Sequence, residues 1–335
     1  MNNGNYSDTL KQPGFFAFFC TQFLGAFNDN FLKIVISFVA LDLATSGSSN
    51  YVELIAFLFI LPSALFSGYA GHLADVYSKR TILVFVKICE IVIMLFALAA
   101  FSIGHIQFML ATVFLMGLHS AFFSPAKYGI LPEMLPESEL SRGNGLLEMS
   151  TFIAIILGTS VGGAVFAVWK QNLPLIGVLM TAIAVLGALA SVGITRVPPS
   201  GANKPMRLNP MHEVLAGLHR LRQDRPLWLT VIGISFFWFL GALVQINILF
   251  FGKELLHLDE FHIGLLGTFL ALGIGAGASA PAGCRAITSN WAWCRWVPSR
   301  WRSAWRWLRS LRTPICTPVS RWLCWDFPPG FLRFP

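Results

Sequence analysis

The chain has 335 residues, of which 55% are apolar and only 12% are charged. About a quarter of the residues of a soluble domain are charged, so the composition excludes an ordinary soluble protein. The net charge of +8 belongs to one segment, because residues 1–280 carry 15 basic and 15 acidic side chains, whereas residues 281–335 carry nine Arg and one Asp. The positive balance therefore does not indicate a nucleic-acid partner.

Apolar runs long enough to cross a hydrocarbon core of about 30 Å recur along the chain. We predict eight membrane-spanning helices, at Phe15–Ala44, Val52–Ala70, Thr81–Phe101, Ile106–Phe123, Met149–Val168, Pro174–Ile194, Leu227–Phe251 and Ile263–Ala280. The first 14 residues are polar and the first apolar run is too long for a signal peptide, so we expect no cleaved leader. The chain is predicted to be an all-α, polytopic membrane protein.

Basic residues lie mainly on one side of the predicted membrane. Eleven fall on the side of the N-terminus and of the long segment after the sixth helix, whereas Lys170 and Lys253 fall on the other. The positive-inside rule therefore predicts a cytoplasmic N-terminus. Within the long segment, Asn209 and Pro210 are typical of a helix start, and apolar residues follow at helical spacing up to Pro226. This pattern predicts either an amphipathic helix on the inner leaflet or an ordinary solvated connector.

A weak internal repeat relates the first and seventh predicted helices. The sequence Phe-Leu-Gly-Ala that begins at Phe23 recurs at Phe239, which aligns Asp29 with Gln245. Two six-helix halves joined by a long segment are typical of the major facilitator fold, in which substrates bind near mid-membrane between the halves. We predict a six-helix bundle at 1–195, a cytoplasmic linker at 196–226 and the start of a second bundle at 227–280.

Charged and amide side chains lie in the middle of two predicted membrane helices. Asp29 and Lys33 share a face of the first helix, and Lys87 and Glu90 form a second pair in the third helix. A charge at mid-membrane costs several kcal/mol unless it is paired or lies in a wet cavity. We predict a polar cavity lined by these four residues and by four amides: Asn28, Asn30, Gln245 and Asn247. The alternative is that each pair neutralises itself and braces helix packing.

The stretch GHLADVYSKR, from Gly71 to Arg80, resembles the loop between the second and third helices of major facilitators. That resemblance implies that Gly71 permits close helix approach and that Asp75 pairs with a helix N-terminus or an Arg to hold a cytoplasmic gate shut. Lys79 and Arg80 match the basic end of the motif. Val76 departs from the motif, because a basic residue is usual there. The alternative is a short turn with inside-positive charges.

Lys127 and Glu148 flank the next connection on the predicted cytoplasmic side. We expect them either to belong to the same gate or to be anchors at the membrane interface.

Three blocks, GAFNDNFLKI, FSGYAGHLADVYSKR and FFSPAKYGILPEMLPESELSRGNGLLEMSTF, together resemble the lysophospholipid transporter family of the major facilitator superfamily. They are most similar to the form fused to acyltransferase and acyl-acyl-carrier-protein synthetase domains. The resemblance covers residues 13–280. It implies inward movement of lysophosphatidylethanolamine and related lipids across a bacterial inner membrane for re-acylation. The alternatives are a general major facilitator solute or efflux transporter, the N-terminal membrane part of a fused acyltransferase and synthetase enzyme, and a membrane scaffold that does not transport.

The resemblance also implies roles for the central polar residues. A lysolipid headgroup carries a phosphate, which Lys33 or Lys87 would face, and an amine, which Asp29 or Glu90 would face. The four amides would hydrogen-bond the headgroup or glycerol. Asp29 is also suited to bind a coupling proton or sodium ion, and we expect no other cofactor and no metal.

An enzymatic function has one candidate pair in this chain. His219 and Asp224 have the H-x4-D spacing of glycerolipid acyltransferases. On a helix their side chains point about 140° apart, and the accompanying acyltransferase motifs are missing. We therefore expect no catalytic site here, and an acyltransferase, fused or separate, is expected only as a partner.

Residues 281–335 differ sharply from the rest of the chain. They hold eight of 11 Trp and nine of 16 Arg, together with seven Pro, which argue against a continuous helix. A basic, Trp-rich segment can anchor at a membrane surface, but the abrupt change is more typical of DNA translated in a shifted frame. Dropping two bases from Arg285 onward permits an apolar helix instead. We predict a frameshifted tail, a fold truncated to about eight of 12 helices, and little or no transport by this chain.

Overall fold

The computed structural model describes residues 9–44, 51–199, 210–270 and 272–273, and these residues form helices and short connections without a strand. The helices are α1 (Pro13–Ala44), α2 (Tyr51–Val76), α3 (Lys79–Ile103), α4 (Ile106–Gly129), α5 (Glu137–Trp169), α6 (Leu173–Val192), α7 (Pro210–Gln223), α8 (Arg225–Phe250) and α9 (Glu260–Leu270). A helical turn, Leu131–Met134, lies between α4 and α5, and a π-helical turn, Phe251–Leu255, follows α8.

Seven of the described helices, α1–α6 and α8, are long and apolar enough to cross a membrane. They confirm seven of the eight predicted spans, although α5 begins at Glu137 and not at Met149. The eighth predicted span, Ile263–Ala280, is described only as far as α9 and residues 272–273. Residues 281–335 lie outside the described residues, so the shifted frame stays a prediction.

Helix α1 lies at the centre of the first six helices. It packs against α2, α4, α5 and α6, and Phe18, Phe31 and Phe38 on it have no exposed surface. The other principal pairs are α2–α4, α3–α4 and α3–α6. If α1 is exchanged with α4, α2 with α5 and α3 with α6, the α1–α5 contact maps onto the α4–α2 contact. The α1–α6 contact maps in the same way onto the α4–α3 contact. This symmetry indicates two three-helix repeats within the bundle, as in the major facilitator fold.

The contact between α1 and α5 depends on glycine. A Cβ added at Gly158 would lie 2.5 Å from the backbone oxygen of Phe27, and one at Gly162 would lie 2.3 Å from Ile34 Cγ2. Lipid is as apolar as the helices, so association in a membrane depends on this kind of close backbone packing. The two glycines therefore set the distance between α1 and α5.

The predicted linker helix forms as α7, which contacts α2 and α8. It ends at Gln223, before the expected stop at Pro226. Asp224 caps α8 by accepting a hydrogen bond from the backbone N–H of Leu227 (3.2 Å), and Pro226 lies in the first turn of α8. This cap accounts for Asp224 without a catalytic role. The placement of α7 on the inner leaflet stays a prediction.

Gly158→Ala is expected to lower the melting temperature of the purified protein in detergent, since its new methyl group must displace the backbone of α1. Such overpacking costs about 1–3 kcal/mol. Gly145→Ala is the matched control, because it lies on the same helix and its Cβ meets no atom within 4 Å. Equal melting temperatures for the two variants would contradict the packing described for α1 and α5.

Candidate functional site

The four central ionisable residues divide into two groups. Lys87 and Glu90 on α3 have no exposed surface, whereas Asp29 and Lys33 on α1 are only partly buried. We call the first group, together with Asn28 and His119, the sealed cluster.

In the sealed cluster, three side chains converge on the carboxylate of Glu90. Asn28 Nδ2 donates a hydrogen bond to Oε1 at 3.1 Å, and the Lys87 ammonium pairs with Oε2. His119 Nε2 lies 3.3 Å from the same Oε2, as an electrostatic contact without hydrogen-bond geometry. Gly25 provides the space for Lys87, because a Cβ there would lie 2.7 Å from the ammonium nitrogen. The cluster thereby ties α1, α3 and α4 together.

The sealed cluster bears on the two expectations for Lys87 and Glu90. They were expected either to line a cavity, in which Lys33 or Lys87 and Asp29 or Glu90 would face a headgroup, or to neutralise each other and brace helix packing. In this structure neither side chain has exposed surface, which fits the second alternative. The physical reason is the cost of desolvating a charge, which a buried pair offsets only when its partners complete the hydrogen bonding. The Asn28 Nδ2 also donates to the backbone oxygen of Met180 at 3.3 Å, while its buried Oδ1 has no hydrogen-bond partner.

Asp29 and Lys33 keep unused bonding capacity. Asp29 Oδ2 accepts a hydrogen bond from Ser120 Oγ at 2.8 Å, while its Oδ1 has no hydrogen-bond partner. The Lys33 ammonium lies 4.3 Å from the centre of the Phe59 ring, in a cation–π contact, and no salt bridge joins these two described residues of α1 to each other. We call Asp29 and Lys33 the α1 charge pair. A carboxylate with one buried, unpartnered oxygen and an ammonium therefore share one helix face without a salt bridge between them.

The remaining predicted amides do not join this pair. Asn30 donates to the backbone oxygen of Ala26 (2.7 Å) within α1 and is almost fully buried. Gln245 and Asn247 are exposed on α8, and the Asn247 amide donates to the backbone oxygen of Leu243 (2.8 Å) on its own helix. Their place in a common cavity with Asp29 stays a prediction.

Two residues that the sequence analysis missed, His119 and Ser120, bring α4 into the site. His119 contacts Glu90 in the sealed cluster, and Ser120 binds Asp29. Their signal in the sequence is weak, a His-Ser dipeptide inside the apolar run of α4. It becomes informative only when α4 is known to pack against α1 and α3.

Lys127 and Glu148 form hydrogen bonds within the first six helices. The buried Lys127 ammonium donates to Thr151 Oγ1 at 3.1 Å, and Thr151 in turn donates to Gln22 Oε1 at 3.2 Å. Glu148 accepts a hydrogen bond from the hydroxyl of Tyr128 at 2.9 Å. Their role in a gate stays a prediction.

The motif from Gly71 to Arg80 is partly explained by helix capping. Arg80 donates to the backbone oxygens of Val192 (2.7 Å) and Ile194 (2.8 Å), so that a cation covers the C-terminal end of α6. The Lys79 ammonium pairs with Glu133.

The role expected of Gly71 in this motif is wrong in this structure. Gly71 was expected to permit close helix approach, but a Cβ there meets no atom within 4 Å. Close approach between helices occurs elsewhere, at glycines of α4, α5 and α6. Asp75 is exposed, and its part in a gate stays a prediction.

Glu90→Gln is expected to destabilise the protein strongly, because it leaves the sealed ammonium of Lys87 without a carboxylate. Removing one member of a buried ion pair costs about 3–5 kcal/mol. The double variant Lys87→Met/Glu90→Gln should recover most of the lost melting temperature, since neither position then carries a buried charge. Glu137→Gln, the same chemical change at an exposed position, is the control. A Glu90→Gln protein as stable as the wild type would contradict the sealed cluster.

Comparison with known proteins identifies the family. The chain matches the Major Facilitator Superfamily over residues 18–308. It is 31% identical over 277 residues to a lysophospholipid transporter LplT of Enterobacter sp. (strain 638), with 82% of this chain and 67% of that protein covered. It is 30% identical over 283 residues to the LplT of Escherichia coli (strain SE11), with the same coverage.

Among solved structures, a peptide transporter POT in complex with sulfate is 15% identical with a TM-score of 0.47, and the match covers 76% of this chain and 57% of that one. The chain thus spans about two thirds of its curated relatives and just over half of this solved transporter. The apolar helices and the LplT relatives indicate a multi-pass protein of a bacterial inner membrane. The chain belongs to the lysophospholipid transporter family of the major facilitator superfamily.

Proposed function

We propose that this protein is a transporter of the kind that moves lysophosphatidylethanolamine and related lysolipids inward across the bacterial inner membrane, and that the α1 charge pair binds their headgroup. With the truncation predicted above, this chain would bind the headgroup but transport little or no lipid. The observation that carries the proposal is the unused bonding capacity of Asp29 and Lys33 in the middle of α1. The Lys87 and Glu90 side chains of the neighbouring sealed cluster form a salt bridge with each other, whereas Asp29 and Lys33 do not.

The geometry of the pair suits a zwitterion. Residues four apart on a helix have Cβ atoms about 5–6 Å apart, which is comparable to the span of a phosphate and an amine joined by two carbons. The phosphate would pair with the Lys33 ammonium, and the amine with the free Oδ1 of Asp29. The headgroup and the protein pair are each net neutral, so binding would leave no uncompensated charge at membrane depth.

Two further features belong to the proposal. The distribution of basic residues supports a cytoplasmic N-terminus, so the lysolipid would be released on the side where an acyltransferase, fused or separate, can re-acylate it. Asp29 Oδ1 is also free to bind a coupling proton or sodium ion before the lipid arrives.

Asp29→Asn is expected to weaken the binding of radiolabelled lysophosphatidylethanolamine to the purified full chain by about tenfold, the effect of losing one charge-assisted hydrogen bond. Lysophosphatidic acid has no amine, so the same substitution should leave its binding unchanged or stronger. Lys33→Gln should weaken the binding of both lipids.

The control for these measurements is Glu137→Gln, which makes the same change of a carboxylate to an amide at an exposed site. The selectivity between the two lipids separates a direct contact from misfolding, because a misfolded protein would lose both. Wild-type binding of lysophosphatidylethanolamine by Asp29→Asn would remove Asp29 from the mechanism.

A further inference from the structure

A second group of charges lies at the end of the bundle where α1 ends and α5 meets α6. Lys253, in the turn after α8, donates to Asp42 Oδ1 and to Glu260 Oε1, each at 3.0 Å. Lys170, at the end of α5, has its ammonium 3.9 Å from Glu260 Oε1. We call these four residues the end cluster. It holds two ammonium groups and two carboxylates and is therefore net neutral.

The end cluster is separate from the α1 charge pair. Asp29 and Asp42 are on the same helix, and at 1.5 Å per residue they lie about 20 Å apart along its axis. The distribution of basic residues makes the end with Asp42 the outer face of the membrane. A lysolipid that moves inward would meet this end first.

A pocket of about 380 Å³ opens beside the end cluster. Its polar edge is formed by Asp42, Lys170 and Gln171, and its apolar wall is formed by Val39, Leu43, Phe166 and Leu173. The carboxylate and the ammonium at the edge match the two charges of a zwitterionic headgroup, and the apolar wall matches the acyl chain of the same lipid.

The charged side chains at the edge of the pocket stay partly exposed. The side chains of Lys170 and Asp42 are 44% and 43% exposed, whereas Glu260 is 8% exposed. Glu260 Oε1 already accepts a hydrogen bond from Lys253, so Lys170 stays beyond hydrogen-bond distance from it. Lys170 is thus the ammonium with the most remaining capacity for an anion.

We propose that the end cluster and this pocket form a docking site for lysolipids, an inference that rests on the proposed function. The phosphate pairs with Lys170 and Lys253, the amine pairs with Asp42, and the glycerol and first chain carbons occupy the apolar pocket. Asp42 exchanges Lys253 for the amine, and Lys253 exchanges Asp42 for the phosphate while it keeps Glu260, so docking leaves no charge of the cluster unpaired. The exchange also releases Lys253 from Asp42, and with it the described contact between the end of α1 and the turn after α8.

The test is photolabelling of the purified full chain with a lysophosphatidylethanolamine that carries a diazirine near the glycerol. Mass spectrometry compares labelling of residues 163–173, beside the pocket, with labelling around Asp29. Lys170→Gln should lower the pocket labelling by about tenfold, the effect of one lost charge-assisted contact, and should leave labelling around Asp29 unchanged. Lys170→Arg should preserve both, and Lys11→Gln, at an exposed lysine near the N-terminus, is the control.

Each outcome has a defined meaning. Pocket labelling that is unchanged by Lys170→Gln, or labelling around Asp29 alone, overturns the docking site and leaves the proposed function standing. Pocket labelling without labelling around Asp29 supports the docking site and contradicts the proposed role of Asp29. No labelling at either position overturns both proposals.

A chain-free competitor distinguishes a lipid from a free headgroup. Glycerophosphoethanolamine has the same charges and no acyl chain, so it should compete far less well than unlabelled lysolipid at equal concentration. Equal competition would mean that the apolar wall contributes nothing and would overturn docking of the lipid.

Discussion

The cost of an unpaired charge in hydrocarbon is the constraint on which the first six helices depend. Lys87 is tolerated with no exposed surface only because Glu90 neutralises it, and Glu90 in turn is held by Asn28 and His119. Those partners come from α1, α3 and α4, so the requirement to satisfy one carboxylate fixes three helices against one another. A buried ion pair is weak support for stability in itself, but here it specifies which helix faces meet.

That specification determines where the α1 charge pair points. Successive residues of a helix are about 100° apart, so fixing Asn28 against Glu90 turns Asp29 away from α3 and towards α4. Ser120 on α4 receives it. Lys33 follows Asp29 on the same face and rests on the Phe59 ring of α2. The sealed cluster thus accounts for the direction in which Asp29 and Lys33 leave α1.

The order and type of the helices could be predicted from the sequence, because membrane thickness sets the length of an apolar run. The partners of individual side chains could not be predicted, because they depend on contacts distant in the chain. Arg80 matches a gating motif, yet it binds carbonyl oxygens of Val192 and Ile194 more than 100 residues away. Asp29 and Lys33 have the spacing of a salt bridge and do not form one, whereas the pair at Lys87 and Glu90 does.

The α1 charge pair and the end cluster share a property that bears on selectivity. Each combines equal numbers of acidic and basic groups next to apolar or aromatic surface, and both include residues of α1. A net-neutral group of charges repels neither end of a zwitterion, but it leaves one of its own charges uncompensated when it binds a ligand with a single charge. Because that penalty grows as water is excluded, the mid-helix pair would discriminate more strongly than the exposed end cluster. The end cluster would then accept lipids with different headgroups, and selection among headgroups would take place at Asp29 and Lys33.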